Sequence, residues 1–143
     1  MVGNELRFNV HFTNGGNDLA KNPRWDAKSY VGKPDDIVTE KDTSIDFDKW
    51  WISSKHQGFA TTSVRPREPA FFSFKTPALT DDDLKGIVAR RLTLYILIRF
   101  TWSDRTGNWV GDECFSFQDL NHDFEVTHAC GQYHNNPRYR ASN

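Results

Sequence analysis

Several things are scarce in this sequence, and each scarcity narrows what the chain can be. There is no run of about eighteen apolar residues, so no segment is expected to cross a membrane as a helix. Net charge is only -1 with 26% charged residues, which leaves no excess of either sign to attract a polyelectrolyte. The basic residues come close together only at Arg65/Arg67, Arg90/Arg91 and Arg138/Arg140. A nucleic-acid binder shows a clustered basic face, so nucleic acid is not an expected partner. No P-loop, dinucleotide fingerprint or nucleophile elbow occurs, and neither an internal repeat nor a low-complexity linker interrupts the chain. No cofactor is implied, and an enzyme is the poorer expectation.

Cysteine is scarce too. Cys114 and Cys130 permit one disulfide without demanding it; paired, they would close a loop of about sixteen residues, worth ~3 kcal/mol. Two buried thiols in a reducing compartment fit equally well. Cys114 as a nucleophile is disfavoured, because neighbouring Asp112 and Glu113 would raise its pKa rather than lower it.

Aromatic residues, by contrast, are plentiful: 14%, with five Trp and eleven Phe. Large flat side chains suit pleated surfaces, and many fall at in-phase strand positions, so a β-rich core accounts for most of them. At 143 residues the chain is long enough to close one hydrophobic core.

The clearest element is the stretch Leu92–Gln118. Leu92, Leu94, Ile96, Ile98, Phe100 and Trp102 alternate with Thr93, Tyr95, Leu97, Arg99 and Thr101, the period of a strand with one face in a core. After Ser103–Gly107 a second run places Trp109, Gly111, Glu113, Phe115 and Phe117 on one face, with Val110, Asp112, Cys114 and Ser116 on the other. This is an antiparallel hairpin.

Elsewhere, Leu6, Phe8, Val10 and Phe12 predict a first strand, ended by Asn14-Gly15-Gly16-Asn17-Asp18. Trp25, Ala27 and Ser29 share one face of a second strand closed by Gly32 and Pro34. Asp35–Thr43 is charged and aperiodic and reads as a surface loop. Phe47, Trp50 and Trp51 at i, i+3, i+4 after Ser44 predict one or two helical turns, closing one end of the fold with the Trp pair buried. Phe59–Val64 and Ala70–Lys75 read as short strands. Thr80 followed by Asp81-Asp82-Asp83 is a helix start, with Leu84, Ile87 and Val88 as its buried stripe. Phe124 and Val126 suggest a last short strand.

About seven short strands and one or two short connecting helices predict an all-β, immunoglobulin-like antiparallel β-sandwich. It would occupy residues 1–134, with 135–143 as a polar, loose tail.

Two constellations bear on chemistry. His128, Cys130 and His134, with His122 nearby, are metal-ligand residue types, but their spacing fits no established zinc pattern. Trp102 and Trp109 flank a polar loop with Asp104, Arg105 and Asn108. Such a set can bind a sugar or peptide, or the two indoles can clamp the turn as a cross-strand pair.

The run Asn14-Gly15-Gly16-Asn17-Asp18-Leu19-Ala20 resembles the N-x-G-x-T-P-A segment of a group of uncharacterised bacterial membrane-anchored proteins. Asn14, Gly16 and Ala20 match, and Asp18-Leu19 stands in place of Thr-Pro. Leu94-Tyr95-Ile96 through Phe100, then Asp104, Gly107 and Cys114, is similar to the group's L-Y-V-x-G-x-x-x-Y-x-D-x-x-G hairpin, with Ile98 standing where the group often has Gly and Trp102 where it often has Tyr, and Cys130 resembles a late cysteine of several members. The resemblance implies an immunoglobulin-like sandwich with no known catalytic residues. It also implies a domain displayed from a bacterial inner membrane by an N-terminal anchor that this chain does not include. Binding of a protein partner or small ligand is then the expected function, with homodimers through an exposed sheet edge as one expected mode.

Overall fold

In the computed structural model, residues 5–33, 37–53, 57–58, 63–117, 128–129 and 138–140 are described. The strands are β1 (Arg7–Thr13), β2 (Ala20–Gly32), β3 (Gln57–Gly58), β4 (Ser63–Val64), β5 (Pro69–Lys75), β6 (Thr93–Asp104), β7 (Gly107–Phe117), β8 (His128–Ala129) and β9 (Tyr139–Arg140). The helices are α1 (Ile37–Ser53) and α2 (Asp81–Val88). The expected all-β antiparallel sandwich is what forms. One sheet is the β1–β5 pair; the other runs β3-β2-β6-β7-β8, with β4 also on β2 and β9 also on β7.

The β6–β7 hairpin is the spine. Its register is unbroken from Leu94 opposite Phe117 to Asp104 opposite Gly107. Leu94, Ile96 and Ile98 face the β1–β5 sheet and join Phe8, Trp25, Ala27, Phe72, Ile87 and Phe117 in the principal core. Trp25 stacks on Phe72 with ring centroids 3.7 Å apart, fastening one sheet to the other.

The alternation understates how deeply β6 is buried. Thr93 through Ile98 are all buried, on both faces, because α1 covers the other side of the large sheet. Phe47 is fully buried there against Tyr95, Leu97 and Cys114, with Trp50 and Trp51 partly buried around it. So α1 does not close an end of the sandwich. It also begins at Ile37 rather than near Ser44, taking in most of the segment read as a loop. Tertiary packing helps order this stretch: among the residues of α1 whose side chains are described, Thr43 and Phe47, one helical turn apart, are buried on a line that continues to Trp50 and Trp51.

Helix α2 starts as its sequence dictates, with the Thr80 hydroxyl accepting a hydrogen bond from Asp83 N at 3.0 Å. Its buried residues are Gly86 and Ile87, while Val88 is exposed. The expected stripe is therefore rotated: Gly86 lets the Leu92 side chain lie directly against the helix. Residues 138–140, expected in a loose tail, include β9, which pairs with Trp109 and Val110. The Phe124/Val126 strand falls outside the described residues.

Candidate functional site

Three chain segments meet at the turn end of the hairpin. The first is the β1–β2 connection, organised by Asn14. Its Nδ2 donates to Asp18 O at 2.8 Å and Val64 O at 3.0 Å, and its Oδ1 accepts from Gly16 N at 3.0 Å. One amide side chain thus folds its own loop into an Asx-type turn and ties it to β4.

The second is the hairpin turn. Asp104 Oδ1 accepts from Thr106 N at 2.7 Å, Thr106 Oγ1 at 2.6 Å and Trp109 Nε1 at 3.1 Å. These bonds, the Thr106 hydroxyl foremost, hold the Asp104 carboxyl below the usual carboxylate range. Gly107 takes φ +133, where a Cβ would meet Arg140 Nη1 at 2.9 Å. The third segment is β9 and its approach: the Arg138 and Arg140 guanidiniums lie 4.0 and 4.9 Å from the Trp109 ring centroid. Trp109 is therefore held as part of the turn. It lies directly opposite Trp102, as a cross-strand clamp requires.

Between these segments is a cavity of about 600 Å³. Phe12, Phe100 and Trp102 supply its apolar lining, the Asn14–Asp18 loop one rim, and Arg105 and Arg138 the other. Asp18 Oδ1 and Arg105 Nη2, both in the lining, are 2.6 Å apart. Two local features leave the space unfilled. On the inner face of β7, Gly111 stands opposite Phe100 with no side chain to occupy it. On β2, the register shifts between Lys21 and Arg24, where Asn22 has φ 48 and Pro23 cannot donate to the ladder.

Glu113 lines the same cavity. It is in phase with Phe115 and Phe117 and lies opposite fully buried Ile98. Burial raises its pKa above the ordinary glutamate value. Its carboxyl has no hydrogen-bond or ion-pair partner among the described residues, which sets it apart from Asp18 and Asp104 beside it.

Of the residues singled out in the hairpin loop, Trp102, Asp104 and Arg105 line the cavity. Asn108 and Trp109 do not: Asn108 is exposed, and Trp109 supports the turn. Glu113 and Asn14 are the additions. A carboxylate in phase with two phenylalanines was the visible signal for the first.

The opposite face of the sheet holds a second polar group, and this one is self-satisfied. Asp112 accepts from Arg99 Nε at 2.6 Å, Arg99 Nη2 at 3.0 Å and Tyr139 Oη at 2.6 Å. Arg99 also reaches Asp48 of α1 at 2.7 Å. Burial works against the Arg99 charge, but the bonds to Asp112 and Asp48 outweigh it and leave the guanidinium pKa raised. Every strong donor here has an acceptor, so the group fixes α1 and β9 to the sheet.

No group of three or more metal-ligand side chains occurs among the described residues. Of the histidine–cysteine candidates, His128 is placed in β8, its side chain undescribed, and Cys130 and His134 lie outside the described residues. Cys114 is disulfide-bonded and has no thiol to titrate; its expected partner Cys130 is beyond what is described. No family model, curated protein or solved structure matches this chain.

Proposed function

We propose that this chain is a non-enzymatic binding module whose ligand site is the cavity at the turn end of the β6–β7 hairpin. The observation that carries this reading is the cavity itself, of about 600 Å³, with an aromatic lining and a few placed polar groups. Ligand pockets in general are concave, largely apolar, of ~300–1,000 Å³, and oriented by a small number of polar atoms. Its walls are held by the Asn14 and Asp104 hydrogen bonds, which reduces the ordering a ligand has to bring about. Sugars and other small ligands are the class favoured by indole beside carboxylate and guanidinium.

The test is a fragment and glycan screen read by thermal shift and Trp fluorescence. Hits should lose their effect in Trp102→Ala while still binding Trp50→Phe, whose ring lies on the far face. Hits indifferent to Trp102 would place binding elsewhere.

A second reading has its own observation. Both outer edges of the β1–β5 sheet are unpaired among the described residues, and Phe71 on β5 is 65% exposed beside His11. A partner strand, from another protein or a second copy, could extend this sheet. The same reading accommodates display from a bacterial inner membrane. Sedimentation velocity of wild type against Phe71→Lys tests self-association: a dimer lost on substitution supports it, and a monomer throughout counts against it.

A further inference from the structure

Resting on the cavity being a binding site, we infer that its ligand is a small organic cation, an ammonium or guanidinium whose charge meets Glu113 and whose apolar part lies on Phe12, Phe100 and Trp102. The charges that line the cavity do not balance. Among the described residues, five ionisable side chains line the cavity: Asp18, Asp104, Arg105, Glu113 and Arg138. Four of them are already engaged with one another. Arg105 Nη2 lies 2.6 Å from Asp18 Oδ1, and Arg138 stacks 4.0 Å above Trp109 with its Nη2 3.7 Å from Asp104. Three carboxylates against two guanidiniums leave one negative charge over, and Glu113 is the carboxylate without a partner among the described residues.

Its position makes that charge consequential. Glu113 projects from the inner face of β7, next to the gap at Gly111, opposite Ile98 and in line with the core residues Phe115 and Phe117. A carboxylate there has given up part of its hydration with no protein group replacing it, which is unfavourable unless something else does. An incoming cation would supply the missing partner, and the aromatic rings beside it favour positive over negative charge on their faces. An anionic ligand finds the reverse. The rim guanidiniums already have acceptors, and its charge would face Glu113 across the cavity.

Three probes of one shape separate the alternatives: benzylammonium, benzyl alcohol and benzoate, titrated at pH 7.5 into ¹⁵N-labelled protein and followed at the Trp102 indole and the Gly16, Arg105 and Glu113 amides. The expected result is binding of benzylammonium about tenfold tighter than benzyl alcohol, the discrimination a charge-assisted hydrogen bond provides. Glu113→Gln, which keeps shape and fold, should erase that preference without abolishing alcohol binding. Lowering the pH should weaken the ammonium alone, as Glu113 takes up a proton. Equal binding of alcohol and ammonium, a preference for benzoate, or an ammonium preference that survives Glu113→Gln would each overturn the inference while leaving the binding site standing. Silence of all three probes at these resonances would overturn the site and the inference together.

Discussion

Asp112→Ala should be among the most damaging single changes in this chain, although it touches neither the principal core nor the cavity. The Arg99 and Asp112 side chains are 12% and 9% exposed. Removing the carboxylate deletes both hydrogen bonds from Arg99 and the one from Tyr139, and strands a guanidinium under α1. Breaking a buried pair from one side costs ~3–5 kcal/mol, mainly because the surviving charge is left uncompensated. Here Asp48 still reaches Arg99, but its own side chain is 54% exposed and its help is diluted by water, so about 3 kcal/mol is expected. Two controls follow. Asp48→Ala should cost under about 1 kcal/mol, as exposed pairs do. The apolar replacement Arg99→Met with Asp112→Leu should come within about 1 kcal/mol of wild type, because neither charge is then buried. Urea denaturation at pH 7 with unchanged m-values measures all three. If Asp112→Ala cost no more than Asp48→Ala, or if the double replacement were as damaging as the single, the account of this group as a buried, desolvated pair would be refuted.

Three further outcomes follow from the same geometry. Gly86→Ala, which raises helix propensity by about 1 kcal/mol, should nonetheless destabilise by about 1–2 kcal/mol in thermal melts, since the added Cβ would lie 2.4 Å from Leu92 Cδ1. Glu113→Gln should be more stable than wild type at pH 7, by no more than about 1 kcal/mol given a half-buried side chain. Burial raises the folded-state pKa, so between the ordinary glutamate range and that raised value the folded protein holds a proton the unfolded chain releases. Wild-type stability therefore falls as pH rises through that window, and the gap to the Gln variant should close on acidification below it. Asn14→Ala should cost about 2 kcal/mol and speed hydrogen exchange at Gly16 by freeing its N–H, with Gly107 unaffected.

Most of the frame was legible because it rests on local patterns with one physical cause. The alternation from Leu94 to Phe100 marks β6, and Thr80 with three acids marks the start of α2. Elsewhere tertiary packing overrides local pattern. Residues 37–43 carry no apolar stripe, so nothing local signals that α1 begins there; the packing of Phe47 onto Tyr95 and Leu97 decides it. That packing also buries the second face of β6, which the alternation with Thr, Tyr and Arg disguises. Val88 suits a buried stripe by its apolar character, yet it is exposed, and Gly86, with no side chain to signal it, is where α2 lies against Leu92. The cavity was half visible. Trp102, Asp104 and Arg105 stood out as a polar, aromatic loop, but the opposing rim comes from a turn ninety or so residues earlier in the chain, a separation that local patterns cannot bridge. Glu113 could have been found, since a carboxylate on the Phe115–Phe117 face has a reason to be there or a cost in being there.

The claim that most needs testing is that the turn end of the hairpin is where this chain meets its ligand. Amide and indole shift mapping across a diverse fragment library measures it directly. The account predicts perturbations concentrated at residues 12–18, 100–106 and 113, around the lining of one cavity. Fragments that instead gathered on the outer face of the β1–β5 sheet around Phe71, or none that moved the Trp102 indole at all, would contradict it.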